Sequence, residues 1–147
     1  QQLIAESLGK KNKGFLPVIS PVPKDHHSLL QLYLDGPKDK LFYIFSDEKK
    51  PKNKINISKS LKINNFLNKK NLSTVKNAQK KSLIDVFKQK KIPFREFKIN
   101  KINEEVLGEL FSYFILETVI TGKLASVNPY NQPAVEQVKA KTKKLLS

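Results

Sequence analysis

The chain has 147 residues, enough for one domain, and 39% of them are hydrophobic, which suffices for a single core. It contains no cysteine, so disulfides and thiolate zinc sites are excluded, and no apolar run approaches the roughly 18 residues of a membrane-spanning helix. The net charge of +15 suggests nucleic acid as a partner, but the lysines concentrate between Lys49 and Lys91 without interleaved aromatic residues, so we interpret them as a solvated surface and expect neither a nucleic-acid nor a membrane partner.

The first residues predict a helix that is already under way. Residues 1–8 read as the end of a helix, and Gly9 stops it. Because the chain also lacks an initiator Met, we expect it to be a fragment of a longer protein. No basic stretch precedes an apolar run, so a secretory signal is not predicted and a cytoplasmic protein is expected.

Two elements are predicted next. Residues 15–20 form a short apolar run that predicts a buried strand, and the prolines after it indicate an extended loop. Helical spacing predicts a helix over 26–35, which a Gly-Pro pair ends.

The clearest strand pattern comes in the middle of the chain. Residues 41–45 are a continuous apolar and aromatic run, typical of a strand covered on both faces. A Lys-rich surface loop is predicted at 47–60, and residues 61–71 are ambiguous. Beyond the next helix, residues 94–99 alternate as a second strand.

Three helices are predicted in the second half. Ser73 is expected to cap a helix that runs to about Lys91. Asn103 is expected to cap the next helix, which Gly122 would stop. The last helix is expected to begin near Pro133 and to run to the C-terminus.

Strands separated by helices of this length predict an α/β fold with a parallel sheet flanked by helices. Such folds bind ligands where the strands end, which here means the loops after residues 19, 45 and 99. The sequence has no Gly-rich phosphate loop.

Three segments contain polar residues suited to chemistry, and Glu6 is in the first. It lies at the end of an otherwise apolar turn. A partly buried carboxylate there would suit a general base. The alternative is an exposed glutamate at a helix end, and the spacing alone does not decide between them.

The second segment contains both histidines of the chain, His26 and His27, at a loop-to-helix junction. Histidine is the side chain best suited to proton transfer near neutral pH. A metal pair is a rival interpretation, although adjacent histidines diverge on a helix and no cysteine is present to complete a site. A third interpretation is a solvated loop in which Asp25 caps the helix.

The third segment contains Gln132 and Lys139. If a helix begins near Pro133, the two side chains lie about two turns apart and would face one cleft. Between Val138 and Ala140, the lysine would be partly desolvated. The alternative is a surface lysine on a Lys-rich helix.

In this order, the three segments resemble the signatures of the phosphoglucose isomerase family. They span nearly the whole chain, and the stretch from Asp25 to Pro37 resembles the family's bacterial branch. The matching stretches are Gln1-Gln2-x-x-x-Glu6-Ser7-x-Gly9-Lys10, His27-Ser28-Leu29-Leu30-Gln31-Leu32-x-x-x-Gly36 and Asn131-Gln132-Pro133-x-Val135-Glu136-x-x-Lys139.

The resemblance implies that residues 1–147 are the C-terminal portion of a sugar isomerase (SIS) domain, incomplete at its N-terminus. It also implies an aldose–ketose isomerase that interconverts glucose 6-phosphate and fructose 6-phosphate, in glycolysis and gluconeogenesis, through a cis-enediol. Glu6 matches the general base, His27 the histidine that assists ring opening, Lys139 a lysine near the ring oxygen, and Gln132 a substrate-binding glutamine. Neither a metal nor a cofactor is implied. The family acts as a homodimer, in which His27 would serve the neighbouring subunit.

The sequence departs from the family pattern at three positions. Asn131 replaces the usual Asp, Ala134 the usual Gly and His26 the usual Gln. The family's phosphate-binding Ser/Thr loop and active-site Arg would lie upstream of Gln1, so we expect the chain alone to be inactive. The alternative functions are a non-catalytic sugar-phosphate-binding sensor domain of the same fold and a degenerate homologue without activity.

Overall fold

A computed structural model describes residues 1–48, 65–67 and 70–147 of the chain. These residues contain six α-helices, two strands and one 3₁₀ helix. In chain order they are α1 (Gln2–Leu8), α2 (Lys24–Ser28), α3 (Leu30–Asp35), β1 (Phe42–Asp47), the 3₁₀ helix Asn65–Leu67, α4 (Leu72–Gln89), β2 (Phe94–Ile99), α5 (Glu104–Leu124) and α6 (Pro133–Leu146). The predicted Lys-rich loop at 47–60 lies outside the described residues from residue 49 onward, as does most of the ambiguous segment 61–71.

The chain divides into two compact units. Unit 1 comprises residues 1–21 and 103–147, and therefore contains α1, α5 and α6. Unit 2 comprises residues 22–102 and contains α2, α3, α4 and both strands. None of the helices in the described part of the chain is both long and apolar enough to cross a membrane.

The sheet of unit 2 is parallel. β1 and β2 pair in register from Phe42 with Phe94 to Asp47 with Ile99. Parallel strands need a crossover connection, and α4 lies between them in sequence. The predicted α/β fold with a parallel sheet is confirmed.

An aromatic cluster forms the core of unit 2. The ring of Phe87, on α4, is only 2% exposed. Its centroid lies 4.8 Å from that of Phe42 on β1 and 5.9 Å from that of Phe94 on β2. Tyr33 on α3 adds an edge contact to Phe42 at 5.0 Å. A single side chain of α4 thus contacts both strands on one face of the sheet.

The opposite face of the sheet is less covered than the sequence predicts. Phe45 stacks on Phe97 at 4.9 Å between centroids, yet it remains 50% exposed. The expectation that the first strand is buried on both faces is therefore wrong. An apolar run does not reveal how many layers cover the sheet.

Two other predicted elements differ from the structure. Residues 15–20 form no strand, and their four large apolar side chains are 59–76% exposed. Pro17 interrupts this run, and proline lacks the N–H that a strand ladder requires. The predicted helix over 26–35 is two short helices, α2 and α3, separated at Leu29.

Asparagine side chains cap the two longest helices. The N-cap of α4 is Asn71 rather than the predicted Ser73, and its Oδ1 accepts a hydrogen bond from the N–H of Thr74 at 2.8 Å. Asn103 caps α5 as predicted, with Oδ1 accepting from the N–H of Val106 at 3.3 Å. Each cap satisfies one of the amide donors that a helix start leaves unpaired.

A charged cluster joins α4 to both strands. Lys80 of α4 donates a hydrogen bond to Glu48, just past β1, and its Nζ lies 3.9 Å from an Oε1 of Glu96 on β2. Ser46 donates to the same Glu48 oxygen at 2.8 Å. The hydrogen bond from Lys80, and then that from Ser46, hold the pKa of Glu48 below its ordinary value.

Removing the central ring should destabilise unit 2. Phe87→Ala would leave a cavity beneath both strands, and we expect the free energy of unfolding to fall by about 3–5 kcal/mol. Urea denaturation followed by circular dichroism measures it. The matched control is Phe66→Ala, because that ring is 71% exposed, and it should change stability by less than about 0.5 kcal/mol. Equal losses from the two variants would contradict this packing.

The Lys80–Glu48 contact can be tested by titration. We expect the Glu48 carboxyl to titrate below the ordinary range of a glutamate, and Lys80→Met to raise its pKa. Because the folded-state pKa is lowered, the contact stabilises the fold above the ordinary pKa, and this contribution is lost as the pH falls. Carbon-13 NMR of the carboxyl group measures the titration. Lys81→Met, at an exposed position of the same helix, is the control, and a Glu48 titration indifferent to Lys80→Met would refute the assignment.

Candidate active site

α1 carries Glu6, and its contact with α5 orients the helix. Ser7 and Leu8 are the buried residues of α1. Leu8 is two positions beyond Glu6, so its side chain projects from nearly the opposite side of the helix. Glu6 is consequently exposed within this unit, which agrees with the second interpretation of the sequence, an exposed glutamate at a helix end.

Two side-chain amides donate to the carboxylate of Glu6. Gln2 Nε2 donates to Oε1 at 3.0 Å from one turn earlier on α1. Gln132 Nε2 donates to Oε2 at 2.9 Å, from a position 126 residues away in sequence. The first and third predicted segments therefore meet in unit 1. Each carboxylate oxygen can accept more than one hydrogen bond, so both retain capacity for a further partner.

A glycine allows the loop before Gln132 to approach α5. The sequence predicts that Gly122 ends α5, but the helix continues to Leu124. A Cβ added at Gly122 would lie 3.2 Å from the Cβ of Pro129, tighter than ordinary contact. Val127 is buried, and its N–H donates to the carbonyl of Gly122 at 2.9 Å. The glycine therefore permits close packing rather than ending the helix.

The rest of this loop leads directly to Gln132. Asn128 Oδ1 accepts a hydrogen bond from the N–H of Tyr130 at 2.9 Å, a local turn typical of asparagine. Gln132 is the N-cap residue of α6, which begins at Pro133 as predicted. Its backbone belongs to the helix start while its side chain reaches Glu6.

Lys139 lies on α6 in an ion pair with its own helix. Its Nζ is 2.7 Å from an Oε1 of Glu136, and the lysine side chain is 64% exposed. Of the two interpretations of this lysine, the structure agrees with a surface lysine on a Lys-rich helix. In the part of the chain that the structure describes, its ion pair is with Glu136 rather than Glu6.

The histidine segment belongs to unit 2. His27 is on α2 and its side chain is exposed. The Nε2 atom of His26 is buried and has no hydrogen-bond partner among the described residues. Asp25 is buried within the first turn of α2, whose N-cap is Pro23, so the prediction that this aspartate caps the helix is wrong. The described residues contain no group of three His, Cys, Asp or Glu side chains suited to a metal ion.

The sequence interpretation overlooked two contacts at this site. Gln2 and Glu6 have the i, i+4 spacing that places side chains together on a helix, and this spacing was available as a signal. The Nζ of Lys10 donates to the backbone carbonyl of Asn128 at 2.6 Å, across 118 residues of sequence. Every residue has a backbone carbonyl, so the sequence gives no signal for a contact of this kind.

Curated glucose-6-phosphate isomerases are similar to most of this chain. A probable glucose-6-phosphate isomerase of Methanococcus maripaludis is 38% identical over 135 residues, which is 92% of this chain and 30% of the relative. The enzyme of Methanocaldococcus jannaschii is 33% identical over 95% of this chain and 34% of its own length. The enzyme of Mycoplasma capricolum is 32% identical over 100% of this chain and 35% of its own length. The predicted resemblance is confirmed, and the chain spans about a third of the length of these relatives.

A solved structure shares the fold. The crystal structure of a hypothetical protein from Thermus thermophilus superposes with a TM-score of 0.81 at 27% sequence identity. The match covers 99% of this chain and 37% of that one. No protein-family model matches the chain.

The close approach at Gly122 predicts opposite effects for two glycine substitutions on one helix. Gly122→Leu would push Pro129 away, and we expect the free energy of unfolding to fall by about 1–3 kcal/mol. Gly108→Leu, where a Cβ meets nothing within 4 Å, should instead raise it by roughly 0.5–1 kcal/mol through helix propensity. Thermal and urea unfolding measure both. Stabilisation by Gly122→Leu would contradict the close packing.

Proposed function

We propose that this chain is the C-terminal portion of an aldose–ketose isomerase that interconverts glucose 6-phosphate and fructose 6-phosphate. The observation that carries the proposal is the 2.9 Å hydrogen bond between Gln132 and Glu6. It joins residues from two segments that separately resemble the isomerase signatures. The names of the relatives support the same substrate class.

Glu6 is proposed as the general base. Isomerisation requires a base that takes the proton from C2 of the open-chain aldose and delivers it to C1, with a cis-enediol between the two steps. An exposed carboxylate is accessible to a substrate, and amide donors on both oxygens fix its orientation. A carboxylate held in this way by neutral amides is suited to the transfer.

The other roles follow from the family resemblance. Gln132 binds substrate beside Glu6, Lys139 acts near the ring oxygen, and His27 assists ring opening. In a homodimer, His27 would serve the neighbouring subunit. The proposal includes an SIS-type domain and a cytoplasmic enzyme. The chain spans about a third of its relatives, and by the same resemblance the groups that bind the phosphate would lie in the part that it does not span.

Replacing the base gives the direct test. In the full-length protein, we expect Glu6→Gln to lower kcat/KM for glucose 6-phosphate by about 10²- to 10⁴-fold, because the amide keeps the shape but cannot accept the proton. Formation of fructose 6-phosphate measures the rate. Glu109→Gln, which removes an exposed carboxylate elsewhere in unit 1, should leave the rate unchanged.

Two results would overturn the proposed activity. A full-length protein that is folded yet inert toward glucose 6-phosphate would contradict it. Binding of the sugar phosphate without turnover would instead identify a non-catalytic sensor domain. An active protein in which Glu6→Gln retains the rate would contradict the assignment of the base.

A further inference from the structure

We propose that Lys10 is a positioning residue that holds the helix bearing Glu6 and the loop bearing Gln132 together. Its Nζ donates to the carbonyl of Ser7 at 2.9 Å and to the carbonyl of Asn128 at 2.6 Å. One ammonium group therefore bridges two segments that are far apart in sequence. The catalytic consequence of this bridge rests on the proposed function, whereas the bridge itself does not.

The bridge begins at a helix end that requires donors. Ser7 belongs to the last turn of α1, where backbone carbonyls lack partners within the helix. A cation at this end also interacts favourably with the helix dipole. Ser7 is buried and Lys10 is half-buried, so water competes less for this contact than for those of fully exposed lysines.

The bridge ends close to the proposed site on both sides. Ser7 follows Glu6 directly in the chain, and Asn128 lies four residues before Gln132. The side chain of Asn128 also accepts a hydrogen bond from the amide of Tyr130 at 2.9 Å, which fixes a turn two residues before Gln132. A shift of Asn128 relative to α1 would therefore change the distance between the Gln132 amide and the Glu6 carboxylate.

A neighbouring lysine provides a matched control. Lys13 Nζ donates to the carbonyl of Ala125 at 2.6 Å, at the end of α5. Like Lys10, it is a cation bonded to a backbone oxygen of unit 1. Unlike Lys10, its bond reaches neither the α1 helix nor the residues next to Gln132. Lys13→Met removes the same charge as Lys10→Met without removing the bridge.

Exchange of the Gln132 side-chain amide measures the bridge without any substrate. In the full-length protein, we expect Lys10→Met to raise the hydrogen-exchange rate of that amide several-fold by NMR, because its hydrogen bond to Glu6 opens more often. Lys10→Arg, which retains donors and charge, should keep the exchange rate close to that of the wild type. Lys13→Met should leave the rate unchanged. Unchanged exchange in Lys10→Met, or an equal rise in Lys13→Met, would overturn the proposal.

Kinetics of the full-length protein test the catalytic consequence. Because a displacement of about 1 Å in a reacting geometry can cost up to roughly 10²-fold, we expect Lys10→Met to lower kcat about 10- to 100-fold with little change in KM. Lys10→Arg should recover most of the loss. A rise in KM alone would show that Lys10 contributes to binding and would overturn the positioning role. An inert wild-type protein would refute the proposed function, and the exchange rates would then still decide whether the bridge exists.

Discussion

The contact of α1 with α5 is the constraint on which the geometry of unit 1 depends. α1 has seven residues, and an isolated helix of that length is not stable in water. Its conformation therefore comes from burial of Leu8 and from hydrogen bonds to its last carbonyls. The position of Glu6 therefore depends on the contact of this short helix with α5, which lies far along the chain.

The two units use different interactions to reach a defined structure. In unit 2, one buried aromatic side chain on α4 contacts both strands, so apolar packing dominates. In unit 1, polar contacts connect distant segments: an amide to a carboxylate, and lysine ammonium groups to backbone carbonyls. Polar contacts are directional, and directional contacts suit a site that must present a carboxylate in one orientation.

Periodicity and caps predicted much of the fold, because they report local preferences. The parallel strands, α5 with its Asn103 cap and α6 after Pro133 all follow from such patterns. The strand predicted at 15–20 is absent because Pro17 interrupts the apolar run. The sequence left open whether Glu6 and Lys139 are exposed, since burial depends on tertiary contacts. The hydrogen bond between Glu6 and Gln132 was not predicted, because the family signatures give each residue a role and spacing says nothing about residues 126 positions apart.

Lys10 and Lys13 donate hydrogen bonds to backbone carbonyls rather than to carboxylates. A carbonyl carries no net charge and does not take up a proton between mildly acidic and mildly alkaline conditions. Added electrolyte therefore weakens these bonds less than it weakens an exposed ion pair. These two contacts therefore hold the segments around the Glu6 carboxylate together with little dependence on ionic strength or acidity.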